Sequence, residues 1–164
     1  PTRRSSDLLP ALAVKAAAAA RQGDAKSARD TYEKILARYA DFTPAHRQLA
    51  LLLAVNPADA KRGVELATRA RNAFPNDAEV AKALGMMLYH QGSFPRAASL
   101  LQESARGRPE DADVQYFLGL TQRQLKNSPA ATKALARALE LGLTGDPAAE
   151  ARKALAEAKT DAKK

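Results

Sequence analysis

The sequence contains no cysteine and no tryptophan, and aromatic residues make up only 5% of its 164 positions. Without cysteine the chain has neither disulfide bonds nor thiolate metal sites. Alanine is abundant, which favours closely packed helices over a sheet of bulky branched side chains. The longest apolar run, Leu49 to Val55, is far shorter than the roughly 20 residues that span a bilayer. We therefore expect an all-α protein with no transmembrane segment.

Residues that carry catalytic or metal chemistry are also scarce. The only two histidines, His46 and His90, lie far apart and lack a nearby acidic residue that could orient them. Zinc sites need three or four converging ligands, and phosphate loops need clustered glycines, which this chain lacks. The sequence predicts no enzyme activity, no cofactor and no metal.

The amino end, PTRRSSDL, matches the in-frame translation of a common sequencing adapter. We expect residues 1–8 to be non-native and the protein to be the carboxyl-terminal part of a longer bacterial chain. Any targeting signal would then lie upstream, which leaves the compartment open between cytoplasm and periplasm. The net charge of +8 is spread along the chain.

A unit of 34 residues is repeated in the second half of the chain. Shifting the sequence by 34 aligns Asp77 with Asp111, Leu84-Gly85 with Leu118-Gly119, Ala97 with Ala131 and Leu101 with Leu135. Each unit has the pattern of two helices: the aspartates are suited to cap the first helix, and Ser93 and Asn127 precede the second. Proline closes the unit at Pro75 and Pro109.

This pattern resembles the tetratricopeptide repeat (TPR), with its period of 34, its Leu-Gly pair and its closing proline. The resemblance implies a right-handed α-solenoid of about four helix pairs, at residues 10–42, 43–76, 77–110 and 111–145 within a 9–145 array. A capping helix is expected at 146–160 and a tail at 161–164. The fourth unit departs from the family pattern, with Gln122 at the usual tyrosine site and Leu143 where proline is expected.

The first two units match more weakly. Ala28 and Tyr32 have the spacing of the family's second helix, and Gly63 and Ala67 follow them by 35 residues. We place the extra residue near Asn56.

Glycines inside the predicted first helices require a packing reason, because each costs roughly 1 kcal/mol relative to alanine. We expect Gly85 and Gly119 to let the second helix approach closely. Gly107 is expected in a connection, so Gly119→Leu should destabilise the protein more than Gly107→Leu.

In TPR proteins the first helices line a concave face that commonly binds a partner peptide. The resemblance implies a peptide-binding groove formed by Arg47, Leu51, Lys82, Met86, Tyr89, His90, Tyr116, Leu120 and Arg123. Cations, tyrosines and apolar side chains suit a peptide with acidic and hydrophobic character. Met86 and Leu120 fit the protein core equally well. The Lys-Asn clamp that some TPR domains use for a chaperone's carboxylate is incomplete, because Met86 stands at the Asn site.

The sequence thus predicts a non-catalytic scaffold or adaptor. One alternative is an RNA- or polyanion-binding solenoid that uses Arg62, Arg69 and Arg71 on a second helix, although these residues do not recur as a base-reading code. A further alternative is a purely structural end of a longer TPR array.

Overall fold

The computed structural model describes residues 8–161, which are largely helical and contain no β-strand. Residues 1–7 and 162–164 lie outside the described residues. Most of the expected adapter segment and of the expected tail therefore falls outside them, while Leu8 begins the first helix.

The chain divides into two compact units, Pro1–Pro75 (unit 1) and Asn76–Lys164 (unit 2). The helices of unit 1 are α1 (Leu8–Arg21), α2 (Ala25–Arg38), α3 (Thr43–Leu53) and α4 (Ala60–Ala73). Those of unit 2 are α5 (Ala78–His90), α6 (Phe94–Gly107), α7 (Ala112–Gln124), α8 (Ser128–Glu140) and α9 (Gly145–Asp161). The helices pack as the pairs α1–α2, α3–α4, α5–α6 and α7–α8, and α9 packs on α8.

Polar side chains cap α5, α7 and α8 of unit 2 at the predicted places, whereas the Ser93 side chain makes no capping hydrogen bond at the start of α6. The Asp77 carboxylate accepts hydrogen bonds from the N–H groups of Glu79 and Val80, and Asp111 accepts one from Val114. Asn127 accepts from the N–H of Ala130 at the start of α8. These bonds satisfy backbone donors that have no partner within the helix, and each cap contributes about 1 kcal/mol.

The extra residue of unit 1 lies in the connection between α3 and α4. A short 3₁₀ turn, Pro57–Asp59, precedes α4, and the Asn56 side chain accepts a hydrogen bond from the N–H of Ala58. Asp59 then receives two hydrogen bonds from the Arg29 guanidinium, at 2.9 and 3.1 Å. The added residue is thus absorbed by a capped turn, and it leaves both flanking helices regular.

Gly85 and Gly119 lie where the first and second helices of each pair in unit 2 cross. A Cβ atom on Gly85 would lie 2.8 Å from Leu101 Cγ, and one on Gly119 would lie 2.6 Å from Leu135 Cγ. Both distances are too short for carbon atoms. The glycines therefore make room for a leucine of the facing helix.

The expectation for Gly107 is wrong. This residue ends α6 and does not lie in a connection, and a Cβ added there would lie 2.9 Å from the Cβ of Ala78. Because Ala78 Cβ is attached directly to the backbone of α5, it cannot move aside easily. Gly107 is therefore unsuitable as a permissive control for Gly119.

The last helix, α9, continues the 34-residue register. It buries Ala148, Ala151 and Ala154, and these contact the core formed by α7 and α8. The positions equivalent to Leu118 and Gly119 are occupied in α9 by Arg152 and Lys153, both exposed. α9 therefore packs as a first helix on one side and presents charge on the other.

Candidate functional site

Lys82 belongs to the predicted groove, and in the structure it is the centre of an ion-pair network. Its Nζ donates hydrogen bonds to Asp111 Oδ1 at 2.9 Å, to Asp111 Oδ2 at 3.0 Å and to Asp113 Oδ2 at 3.0 Å. Asp111 also accepts from Arg108 Nε at 3.0 Å, and Arg108 pairs with Glu79 at 2.7 Å. The amine of Lys82 thus joins α5 to the start of α7.

This network alters the acidity of Asp111. Burial by itself would raise the pKa of the Asp111 carboxyl, but the hydrogen bonds and charges of Lys82 and Arg108 and the Val114 N–H outweigh it. The pKa of Asp111 therefore lies below its usual value, and the carboxylate stays ionised at neutral pH.

Tyr89 and His90 meet two phenylalanines that the sequence interpretation missed. The Tyr89 ring lies 5.4 Å from His90, 5.8 Å from Phe94 and 5.7 Å from Phe117, measured between centroids. The His90 and Phe117 rings are 5.6 Å apart and nearly perpendicular, the favoured edge-to-face geometry. We call these four residues the aromatic cluster. Its sequence signal was faint, since Phe94 and Phe117 lie at positions with no conspicuous role in the repeat.

Part of the aromatic cluster faces solvent. His90 is exposed, and Tyr89, Phe94 and Phe117 are half-buried. The rings of Tyr89 and Phe117 nevertheless shield part of the imidazole from water, and this desolvation lowers the pKa of His90, so that its ring is mainly neutral at pH 7. Burial, assisted by the nearby Glu150, raises the pKa of Tyr89. The cluster is thus a neutral, partly accessible aromatic surface at the end of α5.

Three predicted groove residues on α7 contact α9. Tyr116 is 6% exposed and Leu120 is 5% exposed, and both belong to the core cluster that contains the alanines of α9. The Tyr116 hydroxyl donates a 2.5 Å hydrogen bond to Glu150, and Arg123 pairs with Glu157 at 3.2 Å. Burial and the Glu150 carboxylate raise the pKa of Tyr116. Both acidic partners lie 34 residues after the side chain that they bind, which is one repeat.

The remaining predicted groove residues are Met86, Arg47 and Leu51. Met86 is buried within α5, as its alternative core interpretation allowed. Arg47 and Leu51 lie on α3 in unit 1 and are half-buried. They are the equivalents in α3 of Lys82 and Met86, which follow them by one repeat of 35 residues.

The arginines of the alternative, polyanion-binding surface lie on α4. Arg62 is engaged by two carboxylates, Glu33 at 3.6 Å and Glu65 at 3.4 Å. Arg69 is exposed and Arg71 is half-buried. Part of the positive charge of this face is therefore balanced within unit 1.

Neither a metal-binding group nor a membrane span is found in the described part of the chain. Within residues 8–161, no three His, Asp or Glu side chains come together as a group that could hold a metal ion. No helix in the same range combines the length and the apolar character needed to cross a membrane.

Known proteins share the sequence pattern and the fold. A tetratricopeptide repeat profile matches residues 56–112 and 91–147, together more than half of the chain. A solved MamA D159K mutant has a TM-score of 0.80 at 21% identity, covering 96% of this chain and 89% of that one. A structure of MamA from Desulfovibrio magneticus RS-1, residue 41 to the end, has a TM-score of 0.68 at 19% identity, covering 81% and 75%.

A third structure is YrrB, described as a TPR protein with an unusual peptide-binding site. It has a TM-score of 0.71 at 24% identity and covers 90% of this chain and 76% of that one. No curated protein matches the sequence significantly. At these identities the structural likenesses show the fold, and they confirm the predicted all-α helical-repeat class. With the family profile matched over more than half of its length, the chain belongs to the tetratricopeptide repeat family.

Proposed function

We propose that the protein is a non-catalytic scaffold that binds a peptide of a partner protein on the first-helix side of its repeats. The observation that carries this proposal is the aromatic cluster, with Arg123 close enough to Tyr89 to influence its pKa. Aromatic and arginine side chains are the residues in which binding energy concentrates at protein interfaces.

The chemistry of this surface suggests the character of the partner. The neutral rings of Tyr89, His90 and Phe117 would take an apolar side chain. Arg123 would take a carboxylate: its pair with Glu157 is solvent-exposed and is worth only about 0–1 kcal/mol, so a partner carboxylate can compete for it. An acidic and hydrophobic peptide fits both features.

Of the residues predicted to form the groove, only the accessible ones are proposed to contact the peptide. Tyr89, His90 and Arg123 are the contacts proposed in unit 2, and Arg47 and Leu51 are proposed separately in unit 1. Lys82, Met86, Tyr116 and Leu120 are assigned a supporting role, because they are paired or buried within unit 2.

Two relationships support a binding role over a catalytic one. TPR proteins are generally non-catalytic scaffolds, and the chain belongs to that family. YrrB, which has a similar fold, has a peptide-binding site according to its description. The pairing of Arg62 with Glu33 and Glu65 argues against a free phosphate-binding track on α4.

The test uses a photo-crosslinking amino acid placed at His90, on the first helix, and separately at Arg69, on α4. A protein captured in host cells from His90 alone would be purified and its affinity measured for the full chain. We expect His90→Ala combined with Arg123→Gln to weaken binding about tenfold or more, since each lost interface anchor costs over 1 kcal/mol. The matched control, Arg62→Gln with Arg69→Gln, should leave the affinity unchanged.

Other outcomes would favour the alternatives. If the α4 variant loses binding and the His90/Arg123 variant keeps it, the first-helix surface is the wrong face. If RNA is captured and its affinity falls steeply with salt, the polyanion-binding function replaces the proposed one. If neither position captures any molecule, the structural role within a longer array is supported.

A further inference from the structure

A concave feature of unit 2 lies between α6, α7 and α8. It is a groove of about 610 Å³ whose lining includes Gln102, Gln115, Leu118, Gln122, Lys133 and Arg137. Neither the family pattern nor the aromatic cluster accounts for it. We call it the glutamine groove.

Two residues that line the glutamine groove differ from their equivalents in α5. The residues 34 before Gln115 and Gln122 are Ala81 and Leu88, which are 0% and 2% exposed. In α7 these apolar positions carry primary amides, and Gln122 is only 7% exposed. Gln115, Leu118 and Gln122 fall on one stripe of the helix, because their spacings are three and four. Polar groups thus replace apolar packing along the wall of an open groove.

The three glutamines have unused hydrogen-bonding capacity. Within residues 8–161, the side chains of Gln102, Gln115 and Gln122 make no hydrogen bond to another protein group. Each amide offers two donors and an acceptor, the complement of a peptide group. Gln122 is largely buried, but no side-chain nitrogen or oxygen in the described part of the chain is both buried and unpaired. Its amide atoms are therefore open to the groove, where they can bond to water or to a ligand.

The rim of the glutamine groove is cationic. Lys133 is exposed and forms no ion pair with any described residue, and Arg137 pairs with Glu140 at 3.2 Å in an exposed position. With two cations and one anion, the rim carries an excess positive charge. A carboxylate on the occupant would therefore be favoured there.

We propose that the glutamine groove binds an extended, acidic peptide segment of another protein. The amides of Gln115 and Gln122 would pair with its peptide groups, and an Asp or Glu side chain would reach Lys133 and Arg137. Seven residues of helix separate the two glutamines by about 10 Å, which is about three residues of extended chain. Leu118, between them, offers an apolar contact. The site is distinct from the aromatic cluster, and the inference does not depend on the proposed function of that surface.

The test selects peptides on the full-length chain. Random dodecapeptides displayed on phage are enriched on the wild-type chain and, in parallel, on a Gln122→Leu variant. This substitution installs the residue that α5 has at Leu88, so the variant should melt at the same temperature as the wild type or higher. Should it melt lower, Gln115→Ala, which installs the residue found at Ala81, serves in its place.

We expect acidic peptides that are enriched on the wild type alone. As blocked synthetic peptides they should bind about tenfold more weakly to Gln122→Leu and to Lys133→Gln, because each change removes hydrogen bonds or an ion pair. His90→Ala should leave their affinity unchanged, which separates this site from the aromatic cluster. The inference is overturned if no acidic peptide is enriched, if the enriched peptides bind Gln122→Leu equally well, or if they require His90.

Discussion

In unit 2 each first helix carries a glycine where it crosses its second helix, whereas in unit 1 the equivalent positions are alanines. Gly85 and Gly119 are the glycines, and Ala16 and Ala50 are their equivalents, both fully buried. All four repeats thus have a small residue at this position. That residue is alanine in the two repeats of unit 1 and glycine in the two repeats of unit 2.

The residue on the second helix that faces Ala50 is also different in size from its equivalents in unit 2, and it is smaller where the first-helix residue is larger. Leu101 and Leu135 fill the space over the glycines, whereas Ala67, a smaller residue, has the equivalent position opposite Ala50. At these three crossings glycine on the first helix goes with leucine on the second, and alanine goes with alanine; at the α1–α2 crossing the equivalent pair is Ala16 and the larger Tyr32. Glycine with leucine and alanine with alanine are two solutions of the same packing problem.

The largest expected loss of stability comes from disrupting the glycine–leucine crossing. Gly119→Leu should lower the free energy of unfolding of unit 2 by about 1–3 kcal/mol or more, because its side chain must displace Leu135. Urea denaturation with hydrogen exchange of unit 2 peptides measures this loss. Ala149→Leu, on the exposed face of α9, is the matched control and should change stability by less than about 0.5 kcal/mol.

The same crossing allows a sharper version of that experiment. Gly119→Ala combined with Leu135→Ala recreates the Ala50 and Ala67 arrangement of unit 1. Leu135→Ala alone should cost about 2–5 kcal/mol as a cavity, and the Cβ that Gly119→Ala adds should recover part of it. A double variant as unstable as the sum of the two single variants would show that volume exchange is not the reason for the glycine.

The ion pairs of the two units should also differ in strength. Asp111 in unit 2 is largely buried and receives Lys82, Arg108 and a backbone N–H, whereas Asp59 in unit 1 is bound by the more exposed Arg29. We expect Asp111→Asn to cost about 1–2 kcal/mol and Asp59→Asn less than about 1 kcal/mol. Asparagine keeps one side-chain oxygen, which at position 111 can still cap α7, so the loss reports mainly the charge. Thermal melts of both variants at neutral pH measure it.

The pH dependence of Asp111 follows from its lowered pKa. The unfolded chain binds a proton more readily than the folded chain, so the contribution is present above about pH 4 and is lost as pH falls further. Asp111→Asn should therefore flatten the acid limb of the unit 2 stability curve. An unchanged limb would mean that the Lys82 network does not hold the carboxylate in solution.

The sequence predicted the fold well because the repeat is a local, periodic signal. The caps at Asp77 and Asp111 and the glycine at position 119 follow from spacing alone. The contact of α9 with Tyr116 and Arg123 was missed, although Glu150 and Glu157 lie one repeat further on and could have indicated it.

The glutamine groove could not be predicted from the sequence. The unusual residue Gln122 was noticed at the tyrosine site, but only the arrangement of α6, α7 and α8 shows that Gln122 lines a groove. The packing of side chains from three helices decides whether the space beside a polar side chain is filled by protein or open to solvent. The periodicity of the sequence does not contain that information.

The smallest expected effect distinguishes the units at mildly acidic pH. His46 in unit 1 is 5% exposed, and its pKa is lowered by burial, then by Arg69 and Arg62, against the opposing charge of Asp41. The folded chain binds a proton there less readily than the unfolded chain. The contribution of the neutral His46 to the free energy of unfolding of unit 1 should thus be fully present above about pH 6.5. It should decline as the pH falls toward about 5.5.

Replacement of His46 by glutamine should remove this decline in unit 1. Hydrogen exchange of unit 1 peptides at about pH 7.5 and about pH 5.5, corrected for intrinsic exchange rates, measures it. His90→Gln is the matched control: His90 is exposed in unit 2, so this change should leave the unit 1 peptides unaltered. If the His46→Gln chain keeps the full pH dependence of unit 1, that dependence arises from groups other than the His46 imidazole. Because the position equivalent to His46 in α5 is Ala81, α5 contains no buried counterpart of this group. The decline between about pH 6.5 and about pH 5.5 should therefore be larger in unit 1 than in unit 2.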